Sequence, residues 1–299
     1  MADVAMAGVA VLGTGRMGAA MARRVALGGY RAVLWNRTPA KARAVVDELP
    51  RGIAVVAPTA AAAVQDCAVV LAMLADGAAA REVLLDADVL AAIAPGAVVC
   101  DSSTSGVATA RALAAGLAAH GVRFVDAPVS GSVPGVAAGT LLVMAGGTPE
   151  AVEAAEPVLG TFARLVLRVG DAGAGQAMKL AVNLVVHGLN AALAEALQLA
   201  EQAGISRDDA YDVLAESVVG APFVRYKRAA FLDPATSVAM SLDLVLKDLD
   251  LITQLADDLQ VRHELTVAVR HTVAAACLAG LGPQDMADLS RFSGDRRDG

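Results

Sequence analysis

Four polar residues, Lys179, Asn183, His187 and Asn190, recur at intervals of four, four and three along a run otherwise made of Leu, Val and Ala. In a helix that spacing puts them on one stripe. A polar stripe on an apolar helix must face water, a partner or a site. An unpaired buried ammonium is costly, and a partly desolvated lysine is readily tuned toward proton transfer. Lys179 is therefore the candidate acid–base group and Asn183 a candidate for orienting it. The plainer readings, a solvated lysine and a helix-packing asparagine, stay open. His187 and Asn190 read as interfacial or exposed polar residues.

A second constellation lies near the start of the chain. Gly13-Thr14-Gly15-Arg16-Met17-Gly18 follows the β-branched run Val9 to Leu12 and opens a segment whose apolar face continues through Met21, Val25 and Leu27. In that context the glycines have separate jobs: Gly13 permits a tight turn, Gly15 lets the backbone approach a pyrophosphate, and Gly18 lets helix and sheet pack closely. The helix start offers free N–H groups and a positive dipole end to phosphates. The next strand-like run ends at Trp35. Where an acidic residue would hold a ribose diol, the sequence has Asn36-Arg37-Thr38. A neutral residue removes repulsion against a 2′-phosphate, Arg37 can meet that phosphate with two charge-assisted hydrogen bonds, and Thr38 adds a hydroxyl. The cofactor expected is NADP(H). Arg37 as a simple surface arginine is the competing reading.

Two further loops follow predicted strands, at the sheet edge where doubly wound folds take ligands. One is Asp101-Ser102-Ser103-Thr104 and the other runs from Asp126 to Gly135. Hydroxyls and free N–H groups in a glycine-rich turn suit a substrate carboxylate, although the second loop taken alone is equally a structural turn.

The elements that must position these groups fall into two kinds. From Ala7 to about Val169 short β-branched runs alternate with Ala-rich stretches of helical length, at Val9 to Leu12, Ala32 to Trp35, Ile53 to Val56, Ala68 to Leu74, Ala97 to Asp101, Arg123 to Asp126, Leu141 to Ala145 and Leu165 to Val169. That order predicts a mostly parallel sheet covered on both faces. After Gly173 the strand-like runs stop, and helical patterns follow at Gly175 to Ala203, Arg207 to Val219, Leu242 to Leu259 and Glu264 to Leu281. The fold class expected is an α/β Rossmann domain, doubly wound, over residues 1–170, followed by an all-α domain over residues 171–299. Only the polar tail after Phe292 reads as loose.

With 56% apolar and 18% charged residues the chain of 299 can bury a large core. A net charge of −7 and an aromatic content of 3% argue against a nucleic-acid partner. The apolar runs are broken before the length of a membrane span, and the N-terminus has no basic flank of a secretory signal. Cys67, Cys100 and Cys277 are widely spaced in apolar runs and read as reduced, buried thiols of a cytoplasmic protein. No metal site is expected.

Together the motifs resemble the β-hydroxyacid dehydrogenase family, whose members include 3-hydroxyisobutyrate dehydrogenases and tartronate semialdehyde, glyoxylate and succinic semialdehyde reductases. The resemblance spans nearly the whole chain. It is carried by Gly13 to Gly18 with Met17, by Asp126-Ala127-Pro128-Val129-Ser130-Gly131-Ser132 with Gly139-Thr140-Leu141, by Gly173-x-Gly175 with Lys179 and Asn183, and by Lys247-Asp248 with Gly282-Pro283-Gln284-Asp285. It implies hydride transfer between a nicotinamide and a small hydroxy acid or the matching aldehyde or keto acid. Lys179 would be the proton donor and acceptor, with Asn183 orienting substrate and lysine. Ser130, Gly131 and Ser132 would hold the substrate carboxylate, Phe231 would close the pocket, Lys247 would lie beside the nicotinamide, and Met73, Leu74, Ser103 and Thr104 would line the cofactor pocket. It also implies a homodimer or homotetramer built through the helical domain. Phosphogluconate dehydrogenases share part of the pattern but are much longer and carry His where this chain has Gln176. Imine reductases share the layout but typically have Asp or Tyr in place of Lys179. A non-catalytic NADPH-binding protein is the alternative of another class, and the segment 220–241 matches no particular substrate group.

Overall fold

The computed structural model describes residues 8–292. The loose tail expected after Phe292 and the N-terminal residues read for a signal lie outside them. Two compact units emerge, Met1–Lys179 and Leu180–Gly299.

In the first unit the chain runs β1 (Gly8–Leu12), α1 (Arg16–Leu27), β2 (Arg31–Trp35), α2 (Pro39–Asp47), β3 (Ala54–Val56), α3 (Ala60–Val64), β4 (Cys67–Ala72), α4 (Gly77–Leu84), α5 (Ala87–Ala92), β5 (Val98–Asp101), α6 (Val107–Ala118) and β6 (Arg123–Asp126). It continues through β7 (Val129–Ser130), α7 (Val133–Ala138), β8 (Leu141–Gly146), α8 (Pro149–Leu159) and β9 (Ala163–Gly170), and enters α9 (Ala174–Gln202). The strands form one sheet in the order β3-β2-β1-β4-β5-β6-β8-β7, with β9 added on β8. From β3 to β6 every pairing is parallel. The chain order reverses between β1 and β4, and the Gly13–Gly18 loop leaves β1 at that point.

Period-two alternation explains why these strands are apolar throughout. Val9 and Val11 of β1 join Val69 and Leu71 of β4 in the core under one face, while Ala10 and Leu12 join Val70 and Ala72 under the other. The sheet is less uniformly parallel than its first six strands. β8 runs antiparallel to β6 and β7, and β9 is parallel to β8. The two-residue β7 is part of the segment read from sequence as a loop.

The second unit continues α9 and adds α10 (Arg207–Glu216), α11 (Pro222–Leu232), α12 (Leu242–Asp258), α13 (Glu264–Ala276) and a closing 3-10 turn at Met286–Arg291. The pattern read as helix to Leu281 leaves α geometry after Ala276, because Gly280 adopts φ +91° in a widened turn. Leu180, Leu193, Ala194 and Leu197 of α9 pack with Tyr211, Val224, Phe231, Leu249, Ile252 and Val273 in its core. By length and composition alone, α9 and the run Glu264–Leu281 could each cross a membrane. This corrects the expectation that no apolar run reaches that length; a core helix such as α9 passes the same test. Cys67 and Cys100 are buried and free as expected, whereas Cys277 is only half-buried. Burial pushes their thiols up, to about 11 for Cys67 and about 12 for Cys100, so neither is a ready nucleophile.

Candidate active site

The glycine loop has the geometry its spacing predicts. Gly13 sits at φ +95°, and a Cβ there would lie 2.3 Å from the Met73 carbonyl oxygen. A Cβ on Gly18 would lie 2.0 Å from the Gly13 carbonyl oxygen, so loop and helix touch through backbone. Gly15 differs, because a Cβ there would meet no protein atom within 4 Å. It is exposed at the open start of α1, beside exposed Arg16 and half-buried Met17. An open glycine at a helix N-terminus is the cradle a pyrophosphate needs. The neighbouring Thr14 hydroxyl oxygen is buried and makes no hydrogen bond. The residues present therefore fit a dinucleotide.

Asn36 ties this loop to the end of β2. Its Oδ1 accepts the Thr14 N–H at 3.0 Å and its Nδ2 donates to the Thr38 carbonyl at 3.1 Å. The side chain is thereby committed to the protein, and no carboxylate stands at this strand end. Arg37 and Thr38 are exposed beside it.

Two buried aspartates stand side by side at the carboxyl ends of β5 and β6, where Asp101 and Asp126 are register partners. Asp101 accepts the Ser103 N–H at 3.0 Å and the Ser105 hydroxyl at 2.7 Å, which shapes the loop after β5. Asp126 accepts the N–H groups of Gly173 and Gln176, both at 2.7 Å, and so caps the start of α9. Burial is the largest influence on Asp126 and pushes its carboxyl up to about 6, against the two N–H donors. The helix start lies directly on the sheet, since a Cβ on Gly175 would be 2.4 Å from the Met144 carbonyl oxygen. The contacts of Asp126 explain why the first compact unit extends past Gly170 through the first turns of α9.

Of the residues expected to line the cofactor pocket, Met73, Leu74 and Thr104 are half-buried. Ser103 is fully enclosed instead, with its Oγ accepting the Leu74 N–H at 2.8 Å, so it joins two loops and offers no surface to a ligand. In the expected carboxylate cradle, Ser130 is paired with Leu142 across β7 and β8. Gly131 has φ +131° and room for no Cβ, which would strike Leu141 at 2.4 Å. Ser132 precedes α7 without capping it through its side chain.

The polar stripe of α9 is more buried than its sequence suggests. Lys179 is half-buried, whereas Asn183, His187 and Asn190 are all buried; the reading of His187 and Asn190 as exposed or interfacial is corrected. Asn190 donates to the Met286 carbonyl at 2.9 Å. In the second unit Asn183 Nδ2 donates to Asp248 Oδ2 at 2.7 Å, and Lys247 Nζ meets Asp248 Oδ1 at 2.9 Å. His187 Nε2 stands 3.6 Å from Asp248 Oδ2. Burial alone would raise the Asp248 carboxyl, but the adjoining His187 and Lys247 outweigh it and hold it below the ordinary range. Asp248 thus holds one of the two amide N–H groups of Asn183. Phe231, expected to close the pocket, has no exposed surface and packs 5.5 Å from Tyr211 in the core.

Asp101, Asp126, Gln176 and Asp248 organise these groups, yet none was assigned a role from sequence. The available signal was an aspartate ending each of two β-branched runs just before a Ser- or Gly-rich turn, the usual place for a side chain that holds backbone N–H groups.

Comparison with known proteins supplies an independent line. Residues 8–170 match the family model described as the NAD binding domain of 6-phosphogluconate dehydrogenase, and residues 173–293 match that described as NAD-binding of NADP-dependent 3-hydroxyisobutyrate dehydrogenase. The chain is similar to glyoxylate/succinic semialdehyde reductase 1 of Arabidopsis thaliana, at 31% identity over 93% of this chain and 95% of that protein. Its fold is similar to the crystal structure of 3-hydroxyisobutyrate dehydrogenase from Salmonella typhimurium, with a TM-score of 0.87, 29% identity and coverage of 95% and 99% of the two chains. An imine reductase from Pseudomonas sp. is a more distant likeness, with a TM-score of 0.63, 26% identity and coverage of 96% and 99%.

Proposed function

This chain belongs to the β-hydroxyacid dehydrogenase family, and from that premise we propose that it is an NADP(H)-dependent oxidoreductase interconverting a small hydroxy acid and its aldehyde or keto acid. The substrate class is of the 3-hydroxyisobutyrate, semialdehyde or glyoxylate type. When bound, the nicotinamide supplies or accepts the hydride. Lys179 gives a proton to the carbonyl oxygen during reduction and takes it back in the reverse direction. Asn183, with one amide N–H held by Asp248, orients the substrate and Lys179. Ser130, Gly131 and Ser132 hold the carboxylate, Lys247 serves the cofactor, and the Gly13–Gly18 loop with Met73, Leu74 and Thr104 binds the dinucleotide.

The observation that carries this reading is the anchoring of the lysine helix. Asp126, at the same sheet edge from which the glycine loop opens, holds the start of α9 through Gly173 and Gln176, one turn before Lys179. Asn36 in place of an acidic residue, with Arg37 exposed next to it, supports NADP over NAD. The low cysteine content and the buried thiols support a cytoplasmic enzyme, and the exposed apolar residues of the helical unit, among them Val185, Leu199, Leu265 and Leu278, support assembly into a homodimer or homotetramer.

A substrate panel tests the proposal. NADPH oxidation with glyoxylate, succinic semialdehyde and a cyclic imine is run beside NADP reduction with 3-hydroxyisobutyrate, for the wild type and for Arg37→Ala. Turnover of a carbonyl or hydroxy acid is expected, with Arg37→Ala raising KM for NADPH far more than for NADH. Preference for the imine would move the chain to the imine reductases, and NADPH binding without any turnover would make it a non-catalytic binder.

A further inference from the structure

One buried side chain connects the loop after β5 to the helix that carries Lys179. Gln176 has no exposed surface. Its Oε1 accepts the N–H groups of Ser105 at 3.1 Å and Gly106 at 3.2 Å, and its Nε2 donates to the Ser103 carbonyl at 2.8 Å. The amide orientation is forced, because a flipped side chain would set NH₂ against two N–H donors and C=O against C=O. A primary amide at this reach accepts twice at its oxygen and donates from its nitrogen, which matches all three partners. The backbone of the same residue is held by Asp126. Ser103 in turn accepts the Leu74 N–H, so the loops after β4 and β5 and the first turn of α9 form one hydrogen-bonded piece.

We propose that Gln176 is a positioning residue, coupling the Ser103–Thr104 loop of the cofactor region to Lys179. The inference rests on the reading of Lys179 as the proton donor and of Ser103–Thr104 as part of the cofactor region. Lys179 lies three residues beyond Gln176 on α9, on the adjoining turn, so a movement of the loop is passed to the lysine through the amide. Cofactor bound against Thr104 thereby fixes where the ammonium points.

Gln176→Leu keeps the volume and removes all three hydrogen bonds, whereas Gln176→Glu, assayed at a pH where it is ionised, keeps the two acceptor contacts and loses the donor. Two measurements separate coupling from plain scaffolding. The first is kcat, where the order wild type, Gln176→Glu, Gln176→Leu is expected, with the leucine variant down by roughly tenfold or more and its pH profile displaced. The second is hydrogen–deuterium exchange with and without NADPH. In the wild type NADPH is expected to slow exchange both in the segment 102–106 and in the start of α9. In Gln176→Leu the first protection persists and the second is lost. If NADPH still protects the start of α9 in the folded leucine variant, or if kcat and its pH profile are unchanged, the coupling is refuted. If Gln176→Leu does not fold, the same exchange pattern is read in Gln176→Glu, where undiminished protection at α9 refutes it. A wild type that binds NADPH but reduces no substrate defeats the enzymatic reading and leaves the exchange result to decide the coupling.

Discussion

In the first unit the buried carboxylates Asp101 and Asp126 are spent on backbone N–H groups and a serine hydroxyl, while in the second Asp248 and Asp285 are set against cationic side chains. Lys227 Nζ approaches Asp285 Oδ1 at 2.5 Å, and both side chains are buried. The outcome differs as electrostatics requires. Asp126 has two N–H donors and, among the described residues, no cation paired with it, and burial wins, raising its carboxyl to about 6. For Asp285 burial also pulls upward, yet Lys227 and the N–H groups of Ala287 and Ala239 overcome it and hold the group low. Backbone-held carboxylates thus fix loop geometry in the unit that binds the dinucleotide, and cation-held ones fix helix against helix in the unit that follows.

The largest expected effect comes from breaking the ion pair. Lys227→Met keeps most of the aliphatic stem and leaves Asp285 buried without its cation, which should cost about 3–5 kcal/mol in urea unfolding. A loss within experimental error would mean that the N–H groups of Ala239, Met240 and Ala287, which donate to Asp285, suffice without the lysine.

Next in size is a pH effect that sharpens the contrast. Asp126 has a raised folded-state pKa, so the folded state binds more protons than the unfolded one between 3.8 and about 6. Its contribution to stability must therefore fall as pH rises through that window and level off above it, by up to about 3 kcal/mol. The stability of the wild type measured against Asp126→Asn across those pH values should show this slope. A rise over the window, as a cation-paired carboxylate gives, would erase the distinction between the two units.

Smaller again is a paired test of the glycine loop. Gly18→Ala places a methyl group against the Gly13 carbonyl and should lower stability by about 1–3 kcal/mol. Gly15→Ala meets no protein atom, so its unfolding transition should stay in place while NADPH affinity drops roughly tenfold or more. Equal effects of the two substitutions on folding would mean that Gly15 is not reserved for a ligand.

The sequence was most legible where local chemistry decides structure. Strand runs, the glycine turn and the helix opening near Gly173 depend on neighbours in the chain, and all were readable from apolar periodicity and glycine placement. Helix α11 was not. Phe223, Val224 and Tyr226 in its first turns are weak helix formers, and it is secured by distant partners: Tyr211 donates to the Val224 carbonyl, Arg207 and Arg291 donate to that of Phe231, and Lys227 pairs with Asp285. The two-residue β7 was hidden for a similar reason, since its partners in β8, Val143 and Leu142, stand fourteen and twelve positions further along the chain. Among the site residues, Gly13, Gly18 and Lys179 carry their signal in type and spacing. The enclosed state of Ser103 and the burial of His187 depend on which element packs above them, and no local pattern encodes that.

Whether Lys179 moves the proton is decided by steady-state turnover of Lys179→Ala beside a fluorescence titration of NADPH on the same preparation. A fall in kcat of roughly two to four decades is expected, with NADPH affinity close to that of the wild type. Turnover retained to within a few-fold would contradict it.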